Sequence, residues 1–272
     1  MEGVVLEFNG VAKAYGRGAL FENVSLAVRR GACCALTGRN GAGKTTLLKI
    51  AGGLVSATAG EVRRVKKLSV GYVPEQFPRL SMTARQFARH LAAIEGMSRE
   101  ETEAGLSLFG DFFMDDLCDQ PMTKLSKGTL QKVAVVQALM RPRDLLLLDE
   151  PLSGQDEPSQ RVFAQKVLAM KRAGTAVLLS CHEPFLIERL ADEAYRVGAH
   201  GLARVEAGEA LMRRVRLTFE PDKEMELPEG VTSWRSDRRL FLSAPQKDAD
   251  RLIVKMIEAG FSLREMRDDD GL

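Results

Sequence analysis

Gly38-Arg39-Asn40-Gly41-Ala42-Gly43-Lys44-Thr45 fits the pattern G-x-x-x-x-G-K-[ST] at every position. It lies between an apolar, strand-like run at residues 32–37 and a helix-like stretch at about 44–51. Each part answers to the physics of holding phosphate. Glycines let successive backbone N–H groups turn inward around phosphate oxygens. A helix opening near Lys44 directs its positive end at the anion. Lys44 adds a point charge toward the outer phosphates, and the Thr45 hydroxyl is a hard oxygen ligand suited to Mg2+.

Working outward, strand-like runs at residues 4–8 and 24–28 precede the loop, and one at 68–73 follows it. From about Thr83 to Arg141 the pattern is helical, with apolar residues three or four apart (Phe87, Leu91, Ile94; then Val133, Val136, Leu139, Met140). Residues 145–148 are four leucines between Pro142 and Asp149-Glu150-Pro151, too short for a helix and suited to a strand buried on both faces. A helical pattern at 155–170 and a buried strand at 175–180 come next. Strands alternating with helices give an α/β fold with a mostly parallel sheet. The helical stretch at about 77–141 interrupts the alternation and reads as an inserted subdomain.

Asp149 and Glu150 stand at the C-terminal tip of that leucine strand, the edge where ligands gather in open α/β sheets. Neighbours on a strand point to opposite sides, so the two carboxylates can take different tasks. Asp149 is expected to orient a Mg2+ shell and Glu150 to polarise the water that attacks a γ-phosphate.

The chain has 272 residues, 45% hydrophobic and 28% charged, with a formal net charge of +2 from 39 basic and 37 acidic side chains. That is an ordinary globular composition, and the near-balance gives no electrostatic case for nucleic acid as a partner. Cys33, Cys34, Cys118 and Cys181 have no metal-ligand spacing and read as buried, reduced thiols. There is no signal-peptide pattern at the start, and no apolar run approaches the ~20 residues that cross a bilayer.

Over roughly residues 1–205 the motifs, in this order, resemble the nucleotide-binding subunits of ABC (ATP-binding cassette) transporters, which implies an ATPase domain at residues 1–208. Tyr15 stands where that family has an aromatic that stacks on adenine, and Gln76, in Tyr72-Val73-Pro74-Glu75-Gln76, matches the glutamine that contacts Mg2+ and water. Leu125-Ser126-Lys127-Gly128-Thr129 takes the place of the family's LSGGQ signature, departing from it at Lys127 and Thr129. In the family this segment closes over the γ-phosphate held by the opposite subunit. By itself the same segment reads as a helix cap, with Ser126 as the N-cap. Ser153-Gly154-Gln155-Asp156 stands at the D-loop, and His182 matches the histidine that reaches the γ-phosphate.

The resemblance implies a P-loop NTPase fold with an antiparallel β subdomain beside the parallel sheet. It implies an ATPase using ATP and Mg2+, with Glu150, His182 and Gln76 in catalysis. Thr45, Gln76 and Asp149 would hold the metal. Tyr15, Gly38, Arg39, Asn40, Gly41, Ala42, Gly43, Lys44, Thr45, Thr46, Ser126, Gly128 and Asp156 would hold the nucleotide. Integral-membrane permease subunits and a second nucleotide-binding subunit, identical or paralogous, are the expected partners, with no nucleic acid. Residence is expected to be cytoplasmic, peripheral at the inner face of the membrane.

Residues 209–272 change texture. Short strands at 216–219, 231–234, 239–243 and 261–266 and a helix at 246–258 make a small α+β appendage. The stretch Ala259-Gly260-Phe261-Ser262-Leu263-Arg264-Glu265-Met266-Arg267 loosely resembles appendages of ATPases paired with ABC-2-type permeases, which favours export. The competing reading is a soluble ABC ATPase acting on ribosomes or DNA. Such proteins usually carry two cassettes, a coiled-coil insertion or zinc-binding cysteines, none of which is found here.

Overall fold

A computed structural model describes residues 3–16, 18–205, 214–220, 227–228, 231–236, 239–245 and 248–268. The chain divides into two compact units, Met1–Ala210 and Leu211–Leu272. The 208/209 boundary read from the sequence lies outside the described residues.

In the larger unit, β1 (Val4–Tyr15), β2 (Gly18–Arg29) and β4 (Ala59–Arg64) form an antiparallel sheet in the order β2-β1-β4. β4 was not anticipated, because Ala59–Arg64 is mostly exposed and charged and offers no apolar alternation. Its glycine shows why it fits: at Gly60 a Cβ would lie 2.3 Å from the Gly10 carbonyl oxygen.

The second sheet has the order β5-β6-β7-β3-β8-β9, comprising β3 (Cys33–Thr37), β5 (Val70–Val73), β6 (Leu145–Asp149), β7 (Ala176–Ser180), β8 (Glu193–Gly198) and β9 (Gly201–Val205). All pairings are parallel except β8 with β9. Every residue of β3, β6 and β7 is buried, which explains their unbroken apolar runs. Alternate leucines of β6 feed two cores. Leu146 and Leu148 pack with the inserted helices, whereas Leu145 and Leu147 pack with β1, β2 and α1 (Lys44–Ala51).

The insertion is four helices rather than one continuous pattern: α2 (Ala84–Ile94), α3 (Arg99–Leu106), α4 (Leu108–Asp111) and α5 (Lys127–Leu139). Reciprocal capping boxes start two of them, Thr83 with Gln86 on α2 and Ser98 with Glu101 on α3. α6 (Glu157–Arg172) and α7 (Pro184–Leu190) complete the unit. All four cysteines are buried and unpaired.

The smaller unit is an antiparallel sheet ordered β11-β12-β10-β13, from β10 (Arg214–Glu220), β11 (Thr232–Ser236), β12 (Arg239–Pro245) and β13 (Ser262–Asp268). The helix Ala249–Glu258 buries Leu252 and Met256 against Leu217, Phe219 and Leu242. The sequence placed the start of this helix at Gln246, which lies outside the described residues.

Candidate functional site

The phosphate loop leaves β3 and enters α1. Gly38, Gly41 and Gly43 all have positive φ, at 128°, 83° and 102°. Space as well as conformation requires two of them. A Cβ on Gly38 would approach the Val197 carbonyl oxygen to 2.7 Å, and one on Gly43 would meet the Phe21 ring at the same distance. No side chain caps α1, so its positive end stays available to an anion.

Lys44 is buried, and its Nζ donates to the carbonyl oxygens of Gly38 at 2.7 Å and Arg39 at 3.0 Å. The ammonium thus lies across its own loop, held by the carbonyls that a phosphate would displace. Burial lowers its pKa, while Glu150, Asp149 and Glu75 pull it back up. Arg39, Asn40 and Gly41 are exposed on the loop, and Ala42, Thr45 and Thr46 are half-buried.

Asp149 ends β6 and is 1% exposed, with neither carboxyl oxygen in a hydrogen bond of normal geometry. Burial raises its pKa; the hydroxyls of Thr45 and Ser180 partly offset this. A buried carboxylate beside a threonine hydroxyl at a phosphate loop is a donor set that fits Mg2+.

Glu150 leaves the strand altogether. Its φ is 45°, a left-handed conformation rare outside glycine, and its N–H donates to the Ser180 carbonyl at 2.9 Å. The two carboxylates therefore part company through this strained turn and not through strand alternation, which corrects the sequence expectation. Burial pushes the Glu150 carboxyl up to about 7, against the pull of Lys44 and the backbone N–H of His182. His182 follows β7, with Nε2 3.4 Å from Glu150 Oε1. Gln76 is exposed three residues past β5, whose end pairs with β6 at Leu148. Its segment is pinned from α5, where Gln131 Nε2 donates to the Pro74 carbonyl at 2.9 Å.

The remaining expected residues form a second group. Ser126 is the N-cap of α5, its Oγ accepting from the Thr129 N–H at 3.1 Å and lying 2.8 Å from Thr129 Oγ1. Gly128 meets the loop after Glu150: a Cβ there would lie 2.2 Å from the Gly154 carbonyl oxygen. Asp156 caps α6 by accepting from the Ser159 N–H at 2.9 Å, and pairs with Lys132 of α5. Tyr15 ends β1 exposed, with Lys13 Nζ 4.8 Å from its ring centroid.

Glu75, Thr129 and Lys132 were not assigned from sequence. Glu75 bears electrostatically on Lys44, Asp149 and Glu150, and its only sequence signal is adjacency to Gln76.

The family model described as "ABC transporter" matches residues 21–153. The zinc import ATP-binding protein ZnuC of Rickettsia conorii is 33% identical over 204 residues, 74% of this chain and 85% of that protein. ZnuC of Ruegeria sp. is 34% identical over 196 residues, covering 71% and 76%. A solved ATP-binding subunit of an ABC transporter superposes with a TM-score of 0.69 at 26% identity, covering 75% of this chain and 91% of that one. The relatives are named for import, so they do not support the export preference drawn from the appendage, and none speaks for ribosomes or DNA.

Proposed function

The chain belongs to the ATP-binding subunits of ABC transporters and is an ATPase, and from this premise we propose that it powers substrate movement through separate membrane permease subunits by pairing, with ATP between them, with a second nucleotide-binding subunit. Among the described residues no helix is long and apolar enough to cross a membrane, so the substrate path falls to those partners. The observation that carries the reading is the division of the site. Lys44, Thr45, Asp149, Glu150 and His182 gather at one sheet edge, while the hydrogen bonds of Ser126 stay within α5 and leave its exposed end available to a nucleotide held elsewhere.

In this reading Tyr15 stacks on adenine, and residues 38–46 cradle the phosphates. Lys44 exchanges the Gly38 and Arg39 carbonyls for phosphate oxygens. Thr45, Asp149 and Gln76 would hold Mg2+, which would supply positive charge against the outer phosphates. Glu150 accepts the proton of the attacking water. His182 touches the γ-phosphate and orients Glu150, whose Oε1 lies 3.4 Å from its Nε2. Ser126 and Gly128 close over the nucleotide of the other subunit, with Asp156 at the junction.

A mixed dimer of Lys44→Ala and Ser126→Arg chains tests this. Together the two substitutions leave one composite site doubly defective and the other intact. The mixed dimer is expected to hydrolyse ATP where each mutant homodimer does not. Complete inactivity of the mixture would overturn the composite site.

A further inference from the structure

Lys132 is a buried cation that none of these roles uses. It lies on α5 six residues past Ser126, with its side chain 11% exposed among the buried apolar residues Leu130, Val133 and Val136 of the same helix. A charge in such surroundings is tolerated only when it is met by opposite charge and hydrogen bonds. Lys132 meets both requirements outside its own helix. Its Nζ is 2.8 Å from Asp156 Oδ2 and 3.2 Å from the Phe112 carbonyl oxygen, and 5.9 Å from the centroid of the Phe113 ring. Phe113 is held at a φ of 58°, a conformation a bulky residue adopts only when its surroundings impose it.

One ammonium thus joins three segments distant in sequence: the turn after α4, the signature helix α5, and the loop 151–156 that connects Glu150 to α6. A second tie runs beside it, where the backbone of Gly128 leaves no room for a Cβ against Gly154. Burial pulls the Asp156 carboxyl up, but the Lys132 ammonium and the Ser159 N–H outweigh it and hold it well below the usual carboxylate range. The Asp156 carboxylate is therefore ionised throughout the neutral range.

We propose that Lys132 is a positioning residue for hydrolysis: its ion pair with Asp156 clamps residues 151–156 to α5. The Ser126 end of α5, which covers one nucleotide, and Glu150, which acts on the other, then move as one piece. The inference rests on the composite-site reading above and adds to it the side chain that ties the two sites together. If the clamp is cut, nucleotide still binds at the 38–45 loop, but Glu150 is no longer set when the signature closes.

Four variants test this by steady-state ATP hydrolysis over a range of ATP concentrations. Lys132→Met removes the charge at similar volume. Asp156→Asn removes the charge at a largely exposed position and keeps the α6 cap, since asparagine caps as well as aspartate. The double variant and Lys132→Arg complete the set. The expectation is that each single variant lowers kcat about tenfold with KM within about twofold, because small misplacement of a catalytic group is costly in rate. The double variant should lose no more than either single, and Lys132→Arg should recover most of the rate.

A kcat within about twofold of wild type in Asp156→Asn would overturn the clamp, as would a raised KM at unchanged kcat or losses that multiply in the double variant. Asp156→Asn keeps the test decisive should Lys132→Met fold poorly. The mixed dimer of Lys44→Ala and Ser126→Arg separates the two layers. If it is active while the clamp variants are unimpaired, only the role of Lys132 falls; if it is inactive, the composite site falls first and the clamp with it.

Discussion

Glu150→Gln should have opposite effects on rate and stability, and both follow from the burial of one carboxyl. The substitution keeps the side-chain shape and the left-handed turn at this position but removes a charge and a proton acceptor. Loss of a positioned base costs about 10²–10⁴-fold in rate, roughly 3–5 kcal/mol of barrier. On the proposed function ATP binding rests on the 38–45 loop and should survive, so with Mg-ATP the variant should elute as a long-lived dimer. Stability moves the other way. The folded-state pKa of Glu150 stands at about 7, above its ordinary value of 4.5. A raised carboxylate pKa means that the folded state disfavours the ionised form. The wild type therefore carries no penalty from this group below the ordinary value, loses stability as pH rises through the interval, and bears the full penalty above about 7. Glutamine bears none. The shift sets an upper bound of ~3 kcal/mol, and partial solvent access reduces the expected gain to about 1 kcal/mol at about pH 8, vanishing at about pH 5. For a unit of this size, that corresponds to about 2–4 °C in melting temperature. Phosphate release, size exclusion with and without Mg-ATP, and nucleotide-free thermal melts at both pH values measure the three outcomes. Wild-type turnover would remove Glu150 from the base role. A stability gain that does not vary with pH would refute the desolvation argument, and a monomer at saturating ATP would count against the sandwich.

Lys44→Ala should abolish tight ATP binding, because the ammonium that lies on the Gly38 and Arg39 carbonyls is the charge proposed to meet the outer phosphates; an affinity within about twofold of wild type by titration would contradict this. Gly128→Ala places a methyl group 2.2 Å from the Gly154 carbonyl oxygen, so the backbone must shift. Thermal melts should show a loss of about 1–3 kcal/mol, and hydrolysis should fall with it. A chain ending near residue 210 should still bind ATP, since residues 211–272 form their own unit and carry none of the phosphate-loop residues; a folded truncation without affinity for ATP would place part of the site in the appendage.

The sequence by itself determined the elements to which the phosphate chemistry is assigned in the proposed function. A glycine-spaced loop between a buried strand and a helix has few alternatives, and Lys44–Ala51 forms the helix over the residues expected. The four leucines before Asp149 could only be a strand covered on both faces, and β6 is that strand. These features were legible because local sequence spacing dictates them. β4 was not legible, because its pairing comes from the close approach of Gly60 to Gly10, two residues far apart in the chain. α7, β8 and β9 likewise carry too little periodicity to stand out. Only tertiary structure decided that Glu150 turns away from Asp149 through a left-handed residue, a conformation imposed by the Ser180 carbonyl on the neighbouring strand β7. Only tertiary structure, too, brought Lys132 to Asp156 and Gly128 to Gly154. A lysine on a helix ordinarily reads as a solvated face. Its burial, and the partner that makes burial tolerable, depend on which segments pack across it, and a separation of 24 positions along the chain leaves no local trace of that pairing.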